Sequence, residues 1–168
     1  MQFEELYNTF FVRVYNYARY RCGSMQEAED LTACIFEKLY KKFDTYDSKR
    51  AVLEAWVFII AHGVTVDFFR RKKIRSWLPF TQEQEENLPV ADSSACTVEQ
   101  TDLAQALQRA LAVLSAKERE LVNLHYYQHL KQSEIAAVMG LTQSHVGVLL
   151  HRAVKKLKLK LGNEYETQ

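Results

Sequence analysis

Apolar residues recur every three or four positions along almost the whole chain, and this spacing limits the fold more than any other feature of the sequence. It matches one face of an α-helix, which takes about 3.6 residues per turn. No useful length alternates polar and apolar residues with the period of two that a half-buried β-strand needs. The sequence therefore predicts an all-α fold.

Three helices are predicted in the first 75 residues. Ser24 and Glu27 have the spacing of a capping box, so the first helix should end near Gly23 and the second begin there. A third helix is expected from about Ala51 into a basic run. The first two apolar stripes consist of Phe3, Leu6, Tyr7, Phe10, Val14 and Tyr17, and of Leu31, Ile35, Phe36, Leu39, Tyr40 and Phe43.

Residues 76–108 differ in composition from the rest of the chain. They contain no Lys or Arg, and they include both prolines, Pro79 and Pro89. This predicts an acidic linker over residues 76–98, with helix resuming near Thr97. The expected architecture is two small helical domains, residues 1–75 and 99–168, joined by that linker. The acidic residues of the stretch are Glu83, Glu85, Glu86, Asp92, Glu99 and Asp102.

Capping signals predict three helices in the second domain, after a stripe that runs from Leu103 to Leu114. Ser115 and Glu118 form a second capping-box pair, at the start of a helix to about residue 127. A short helix over residues 132–139 should stop at Gly140, and Thr142 can cap a last helix to about residue 161.

Residues 132–150 have the pattern of a helix-turn-helix. Ala136 lets two helices approach closely, Gly140 permits a tight turn, and Val146 fills an inner position. The second helix would then enter the major groove of DNA. A helical hairpin that happens to contain a glycine is the structural alternative. Cations that can bind phosphates follow, namely Arg152, Lys155, Lys156, Lys158 and Lys160.

Aromatic residues precede the basic run at the end of the third predicted helix. Bases stack on such rings while phosphates contact the cations, so this composition favours single-stranded DNA. The alternative is that the rings belong to the core and the cations are merely solvated. The residues concerned are Trp56, Phe58, Phe68 and Phe69, followed by Arg70, Arg71, Lys72, Lys73 and Arg75.

Other classes of protein find little support. The sequence has no signal-peptide pattern and no apolar run long enough for a membrane helix, which favours the cytoplasm and no membrane insertion. The three cysteines suggest neither a disulfide framework nor a zinc site. His125 and His129 lack a third ligand or an adjacent Glu motif. We therefore expect no enzyme, metal or cofactor.

Taken together, these motifs resemble the sigma-70 family of RNA polymerase sigma factors, in its extracytoplasmic-function (ECF) group, over nearly the whole chain. Residues 28–43 resemble the polymerase-binding helix of the family's second region, and residues 55–71 resemble its promoter-melting helix. Residues 114–120, 134–136 and 150–153 are similar to the fourth region. The resemblance implies promoter recognition, strand opening and transcription initiation without catalysis.

The resemblance also implies binding sites and partners. Polymerase-binding residues would be Asp30, Leu31, Phe36, Leu39, Tyr40 and Phe43, with the alternative that some of them, notably Leu31 and Phe36, belong to the core. Contacts with the minus-ten element would come from Tyr46, Lys49, Arg50, Trp56, His62, Arg70, Arg71, Lys72 and Lys73. Contacts with the minus-thirty-five element would come from Gln143, Ser144, His145, Gly147, Val148, His151, Arg152 and Lys155. Partners would be core polymerase (beta-prime clamp and beta flap), promoter DNA as duplex and as melted non-template strand, and an anti-sigma factor.

The recognition helix departs from the family pattern. Gly147, Val148 and Leu149 stand where Lys-Ser-Arg is common, which removes two cations and presents apolar groups to the bases. Gly63 replaces a common Asn, and Ala33-Cys34 replaces a Gln-acid pair. Two alternatives stay open at this point: a stand-alone helix-turn-helix regulator, and an adaptor that only binds polymerase.

Overall fold

The computed structural model describes residues 2–22, 24–75 and 110–165, without the side chains of residues 73–75 and 163–165. Within these ranges the regular elements are all helical, as predicted. They are α1 (Phe3–Arg21), α2 (Met25–Lys42), α3 (Leu53–Arg75), α4 (Ala116–Val122), α5 (Gln132–Met139) and α6 (Gln143–Tyr165). The predicted linker, both prolines and most of the helix expected from Thr97 lie outside the described residues. The end of that helix, residues 110–112, is described and is helical.

The first domain is a three-helix unit in which α1 and α3 both pack against α2. Ser24 caps α2 as predicted, with its hydroxyl accepting a hydrogen bond from the Glu27 backbone N–H at 3.2 Å. α1 ends at Arg21, and α3 begins at Leu53 rather than Ala51. The core of this unit is formed by Leu6, Phe10, Val14, Tyr17, Leu31, Ile35, Leu39, Val57, Phe58 and Ala61.

The second domain departs from prediction after α4. The capping box at Ser115 is present in both directions, at 3.3 and 2.9 Å. The α-helix expected to reach residue 127 ends at Val122, however, and a π-helical turn follows over Asn123–Tyr127. The Gln128 N–H donates to the Asn123 carbonyl at 3.0 Å. The helical segment thus ends with this wider turn at Tyr127, before α5 begins at Gln132.

The helix-turn-helix forms as predicted. Gly140 adopts a left-handed conformation with φ of 64°, and the Leu141 N–H donates to the Ala136 carbonyl at 2.9 Å. Thr142 accepts a hydrogen bond from the His145 N–H at 3.3 Å and caps α6. α6 continues past Gly162 to Tyr165, because this glycine does not take the left-handed conformation that ends α5.

The two domains pack against each other, with α3 lying along α5. One apolar cluster extends from α1, α2 and α3 into α4, the π turn and α5. A smaller separate cluster, formed by Leu114, Val122, Leu150 and Ala153, joins α4 to α6. Among the described residues, the second domain therefore contributes to the same apolar cluster as the first.

Candidate nucleic-acid interface

α6 exposes one face along its first half. Val146, Leu150 and Ala153 point inward. The outward positions are Gln143, Ser144, His145, Val148, His151, Arg152 and Lys155, all of them exposed. The structure thus brings seven of the eight residues predicted for the minus-thirty-five element onto the outer side of one helix. Two of them, Arg152 and Lys155, are cations, and Val148 is apolar. The other four can donate or accept hydrogen bonds through an amide, a hydroxyl or an imidazole.

The eighth predicted residue, Gly147, is only half exposed because α5 lies close to it. A Cβ atom at Gly147 would stand 3.2 Å from Oε1 of Gln132. Leu149 also differs from expectation, since it packs against the central apolar cluster. Only Val148, with 48% of its surface exposed, presents an apolar group outward in this stretch. The expected apolar patch at residues 147–149 is therefore a single side chain.

The predicted minus-ten residues start in the turn between α2 and α3. The Tyr46 hydroxyl donates to the Ala51 carbonyl at 3.2 Å, and its ring lies 5.2 Å from that of Trp56. Lys49 and Arg50 are exposed at the tip of the turn. On such a surface an unpaired base can stack on the half-buried rings while its phosphate binds the exposed cations beside them.

The basic run at the end of α3 is exposed. Arg70 pairs with Asp67 at 2.9 Å, and Arg71 extends into solvent. Lys72 contacts the Glu27 carboxylate at the start of α2 and so ties the two helices together. The side chain of Lys73 lies outside the described part of the chain. Phe69 is buried and Phe68 partly buried, which agrees with the core alternative for these two rings.

His62 differs from the other predicted minus-ten residues in its surroundings. It lies one turn after Phe58 and three residues before Thr65, both fully buried, and so faces inward along α3. Its Nδ1 lies 2.7 Å from Oε1 of Glu120 in α4. In this arrangement His62 contacts the second domain, away from the exposed cations.

The residues predicted to bind polymerase divide into buried and exposed groups. Leu31 and Leu39 are fully buried and Phe36 nearly so, and all three belong to the core. Asp30 is exposed, and Tyr40 has 67% of its surface exposed while its ring packs edge-on against Phe3. The partly buried Phe43 packs against the same Phe3 ring at 5.5 Å.

An aromatic groove between α1 and α2 was not predicted from the sequence. It has a volume of about 340 Å³. Tyr7, Phe11 and Tyr15 recur every four residues and form a second stripe beside the buried stripe of α1. This spacing is the sequence signal from which the groove could have been predicted. Tyr7 packs on Phe36 of α2 at 4.6 Å. The groove is lined by Tyr7, Phe11, Tyr15, Glu29, Thr32, Ala33 and Phe36.

A buried charge cluster joins the domains around Glu120. Its carboxylate lies 2.7 Å from Nη1 of Arg21, 2.7 Å from Nδ1 of His62 and accepts a 2.8 Å hydrogen bond from the Tyr17 hydroxyl. Burial alone would raise the pKa of Glu120, but the His62 hydrogen bond and the Arg21 charge outweigh it and lower the pKa to about 2. Burial and the neighbouring carboxylate raise the pKa of Tyr17 well above its usual value. Glu120 is therefore a buried anion whose carboxylate contacts Arg21, His62 and Tyr17, all in the other domain.

Arg13 adds a second contact between the domains. Its guanidinium donates to the Gln128 carbonyl at 2.6 Å and to the Gln128 side chain at 3.4 Å. It also lies over the rings of Phe10 and Phe58, at 5.2 and 5.4 Å. Sequence reasoning missed the contact with Gln128 because the two residues lie 115 positions apart.

No group of three His, Cys, Asp or Glu side chains in residues 2–22, 24–75 and 110–165 is placed to hold a metal ion. No helix in this part of the chain is long and apolar enough to cross a membrane.

Comparisons with known proteins agree with the helical architecture. Residues 6–75 match the Sigma-70 region 2 family, and residues 104–157 match the Sigma-70, region 4 family. The chain also shares its fold with the sigma factor RpoE of Bartonella quintana, solved with the anti-sigma factor NepR. The TM-score is 0.70 at 21% identity, over 95% of this chain and 96% of RpoE.

Two curated relatives are ECF RNA polymerase sigma factors. SigF of Caulobacter vibrioides is 31% identical over 141 residues, which cover 84% of this chain and 74% of SigF. BldN of Streptomyces coelicolor is 30% identical over 155 residues, or 92% of this chain, which spans 58% of the length of BldN. The chain belongs to the sigma-70 family of RNA polymerase sigma factors, in its ECF group.

Proposed function

We propose that the two domains of this sigma factor bind two different states of promoter DNA. Residues 1–75 would hold core polymerase and the melted non-template strand of the minus-ten element. Residues 99–168 would hold the minus-thirty-five duplex, with residues 76–98 linking the two. The observation that supports this division is that the exposed cations of α3 and the exposed face of α6 lie on different domains.

Duplex binding is assigned to α6. Its exposed side chains can contact base edges and the methyl group of thymine, while Arg152 and Lys155 bind phosphates. The half-buried Gly147 leaves room for the end of the Gln132 side chain of α5, which would lie 3.2 Å from a Cβ atom at this position. We assign it that packing role rather than a base contact.

Strand binding is assigned to the turn before α3 and to the basic end of α3. Arg70 and Arg71 can bind phosphates, and Tyr46 and Trp56 form a ring pair on which an unpaired base can stack. His62 would join this surface only when the second domain moves away from it.

Polymerase binding is assigned to the exposed side of α2. Asp30 and Tyr40 are available for the beta-prime clamp. Leu31, Phe36 and Leu39 would support the same surface from inside the core. We assign the beta flap to the second domain. The mechanism is binding without covalent chemistry or a cofactor, in the cytoplasm, where the family acts with RNA polymerase.

We also propose an anti-sigma factor as a partner. The support is the resemblance of this chain to the ECF group and the presence of NepR in the solved RpoE complex. The aromatic groove between α1 and α2 offers an apolar surface of the kind that protein partners cover.

The stand-alone regulator is not favoured, because both polymerase-associated regions of the family match this chain. Run-off transcription from a pool of promoter fragments, with core polymerase and with or without this protein, tests the proposal. Specific transcripts that require the protein are expected, and Asp30→Arg with Tyr40→Ala should reduce them by tenfold or more. Duplex binding by the protein alone, without transcripts, would support the regulator instead.

A further inference from the structure

The centre of the outward face of α6 is formed by four exposed residues. Positions three and four residues apart lie on the same side of a helix. The inward side follows this spacing at Val146, Leu150 and Ala153, which are all buried. The opposite side follows it as well, and its residues are Ser144, Val148, His151 and Lys155. Val148 therefore stands near the middle of the side that we assign to duplex DNA.

Val148 is the apolar residue of this face. It has 48% of its surface exposed, and between Gln143 and Lys155, a stretch that the structure describes throughout, no other apolar side chain is exposed. Leu149 packs against the central apolar cluster, and Gly147 has no side chain, so neither neighbour shields it. The methyl groups of Val148 are therefore available to a molecule that approaches α6 from outside.

Polar side chains stand one turn before and one turn after Val148. Ser144 and His151 share its side of α6 and can donate or accept hydrogen bonds. The exposed cations Arg152 and Lys155 follow one and two turns after Val148. In a helix-turn-helix, the first turns of the second helix contact base edges, whereas cations bind the phosphates and position the helix. This order along α6 places Val148 between groups that can bind neighbouring base edges.

Thymine is the base that suits a valine in the major groove. Its C5 methyl group is the apolar substituent that bases present there, beside atoms that donate or accept hydrogen bonds. A valine side chain has no donor or acceptor, so against those atoms it would remove water without replacing its hydrogen bonds. Against a thymine methyl group it removes two apolar surfaces from water, which is favourable.

We propose that Val148 determines specificity in the duplex contact by selecting a pyrimidine that carries a C5 methyl group, which in a promoter is thymine. The inference rests on the proposed binding of the minus-thirty-five element by α6. Recognition at this position works by burial of the methyl group, whereas Ser144 and His151 bind neighbouring base pairs through hydrogen bonds. The alternative is a surface valine without a recognition role, since single exposed apolar residues are common.

Deoxyuridine tests the proposal, because it pairs with adenine as thymine does but lacks the methyl group. The probe is a promoter fragment that the wild-type holoenzyme transcribes, with each minus-thirty-five thymine replaced in turn. Electrophoretic mobility shift with holoenzyme measures the affinity, after circular dichroism has established that each variant is folded. Val148→Ser removes both methyl groups with little change in helix propensity. Leu159→Ser is the matched control, because Leu159 is also exposed on the same side of α6, about 16 Å further along.

At one thymine, loss of the methyl group should weaken wild-type binding by about fourfold, as expected for the burial of one methyl group. Val148→Ser should bind the thymine and deoxyuridine fragments alike, while Leu159→Ser should show the wild-type loss. Cytosine at the same position should bind wild type more weakly than thymine does. Its replacement by 5-methylcytosine should then recover about fourfold in wild type and Leu159→Ser, but nothing in Val148→Ser.

Other outcomes would overturn the proposal. If no thymine responded, or if the element contained none, Val148 would be a surface residue without a base contact. If Val148→Ser lost as much affinity as wild type, another residue would contact the methyl group. A fragment with a scrambled minus-thirty-five element tests the proposed function separately. Unchanged wild-type affinity for that fragment would refute duplex recognition by α6 itself, whereas a loss there without any response to deoxyuridine would refute only the role of Val148.

Discussion

α3 and α6 are both helices of 23 residues, and both include a run of cations, yet their surroundings differ. α3 packs against α2 on one side and against α5 on another. α6 is held along one side, by Val146, Leu150 and Ala153, and its opposite side faces solvent. α3 is therefore packed on several sides within the core, whereas α6 has one side available for a binding partner.

This difference limits how each helix can take part in recognition. Most inward positions of α3 are fixed by packing, so the contacts with DNA that we propose for it are restricted to its two ends and to residues such as His62, which the second domain covers. The outer residues of α6 have few structural duties, so substitutions at these positions can alter DNA contacts without disturbing the fold. The departures from the family pattern at Gly147 and Val148 fall on the helix that tolerates them.

Truncation of a core ring should show most clearly how much more α3 contributes to stability than α6. Phe58→Ala leaves a cavity between α1, α3 and the second domain, and it should lower the free energy of unfolding by about 3–5 kcal/mol. The neighbouring Ile59→Ala, on the exposed side of α3, should cost about 1 kcal/mol or less. Val148→Ala in α6 should change it by less than about 0.5 kcal/mol. Urea denaturation followed by circular dichroism measures all three, and equal losses for the two α3 variants would contradict this picture of the helix.

The charge cluster should make stability depend on pH. The pKa of Glu120 is about 2 against an ordinary value of 4.5, so its contribution is complete above pH 4.5 and is lost as the pH falls toward 2. The shift corresponds to about 3 kcal/mol at neutral pH. Wild type should exceed Glu120→Gln by roughly that amount at pH 7, and the gap should narrow in acid. A gap that stays constant with pH would show that the carboxylate charge is not what joins the domains.

Salt titrations should distinguish strand contacts from duplex contacts. Arg70→Ala with Arg71→Ala should reduce the slope of log affinity against log salt by about 1.4 for the minus-ten strand, and lower the affinity roughly tenfold. Arg152→Ala with Lys155→Ala should reduce the slope by about 1.8 for the minus-thirty-five duplex. Each pair serves as the control for the other, with wild-type and variant holoenzymes measured on both DNAs. If each pair weakened both DNAs alike, the assignment of strand and duplex to different domains would fail.

Local structure was largely predictable because its signals lie a few residues apart. The caps at Ser24, Ser115 and Thr142 and the left-handed Gly140 all appear where the sequence placed them. Gly162 did not end its helix, since a glycine permits the left-handed conformation but does not impose it. The π turn after Val122 leaves no comparable mark in the sequence.

The contacts between the domains were not predictable from local pattern. His62 follows Phe58 by one turn, so its inward direction could be inferred, but its partner Glu120 lies 58 residues further on. In the polymerase-binding set, the core alternative for Leu31 and Phe36 agrees with their burial. Helical spacing did not distinguish the buried Leu39 from the exposed Tyr40, because both lie on the same predicted apolar stripe. Positions on one helix follow from periodicity, whereas the identity of the facing element follows only from the assembled fold.

The smallest expected effect concerns the altered part of the recognition helix. Gly147→Lys restores a cation near the duplex-binding face, and the flexible end of Gln132 can move aside for the new Cβ atom. Duplex affinity should rise by about threefold to tenfold, with a salt slope larger by about 0.9. Gly162→Lys is the matched control, because it adds the same charge and the same helix propensity about 22 Å further along α6, where no atom lies within 4 Å of a new Cβ. An equal gain from both variants would mean that net charge alone governs duplex binding. A gain from Gly147→Lys alone would establish that the first turns of α6 lie at the DNA. It would also show that the exposed helix can recover affinity through a single substitution, whereas a lysine on the packed inward face of α3 would disrupt the core.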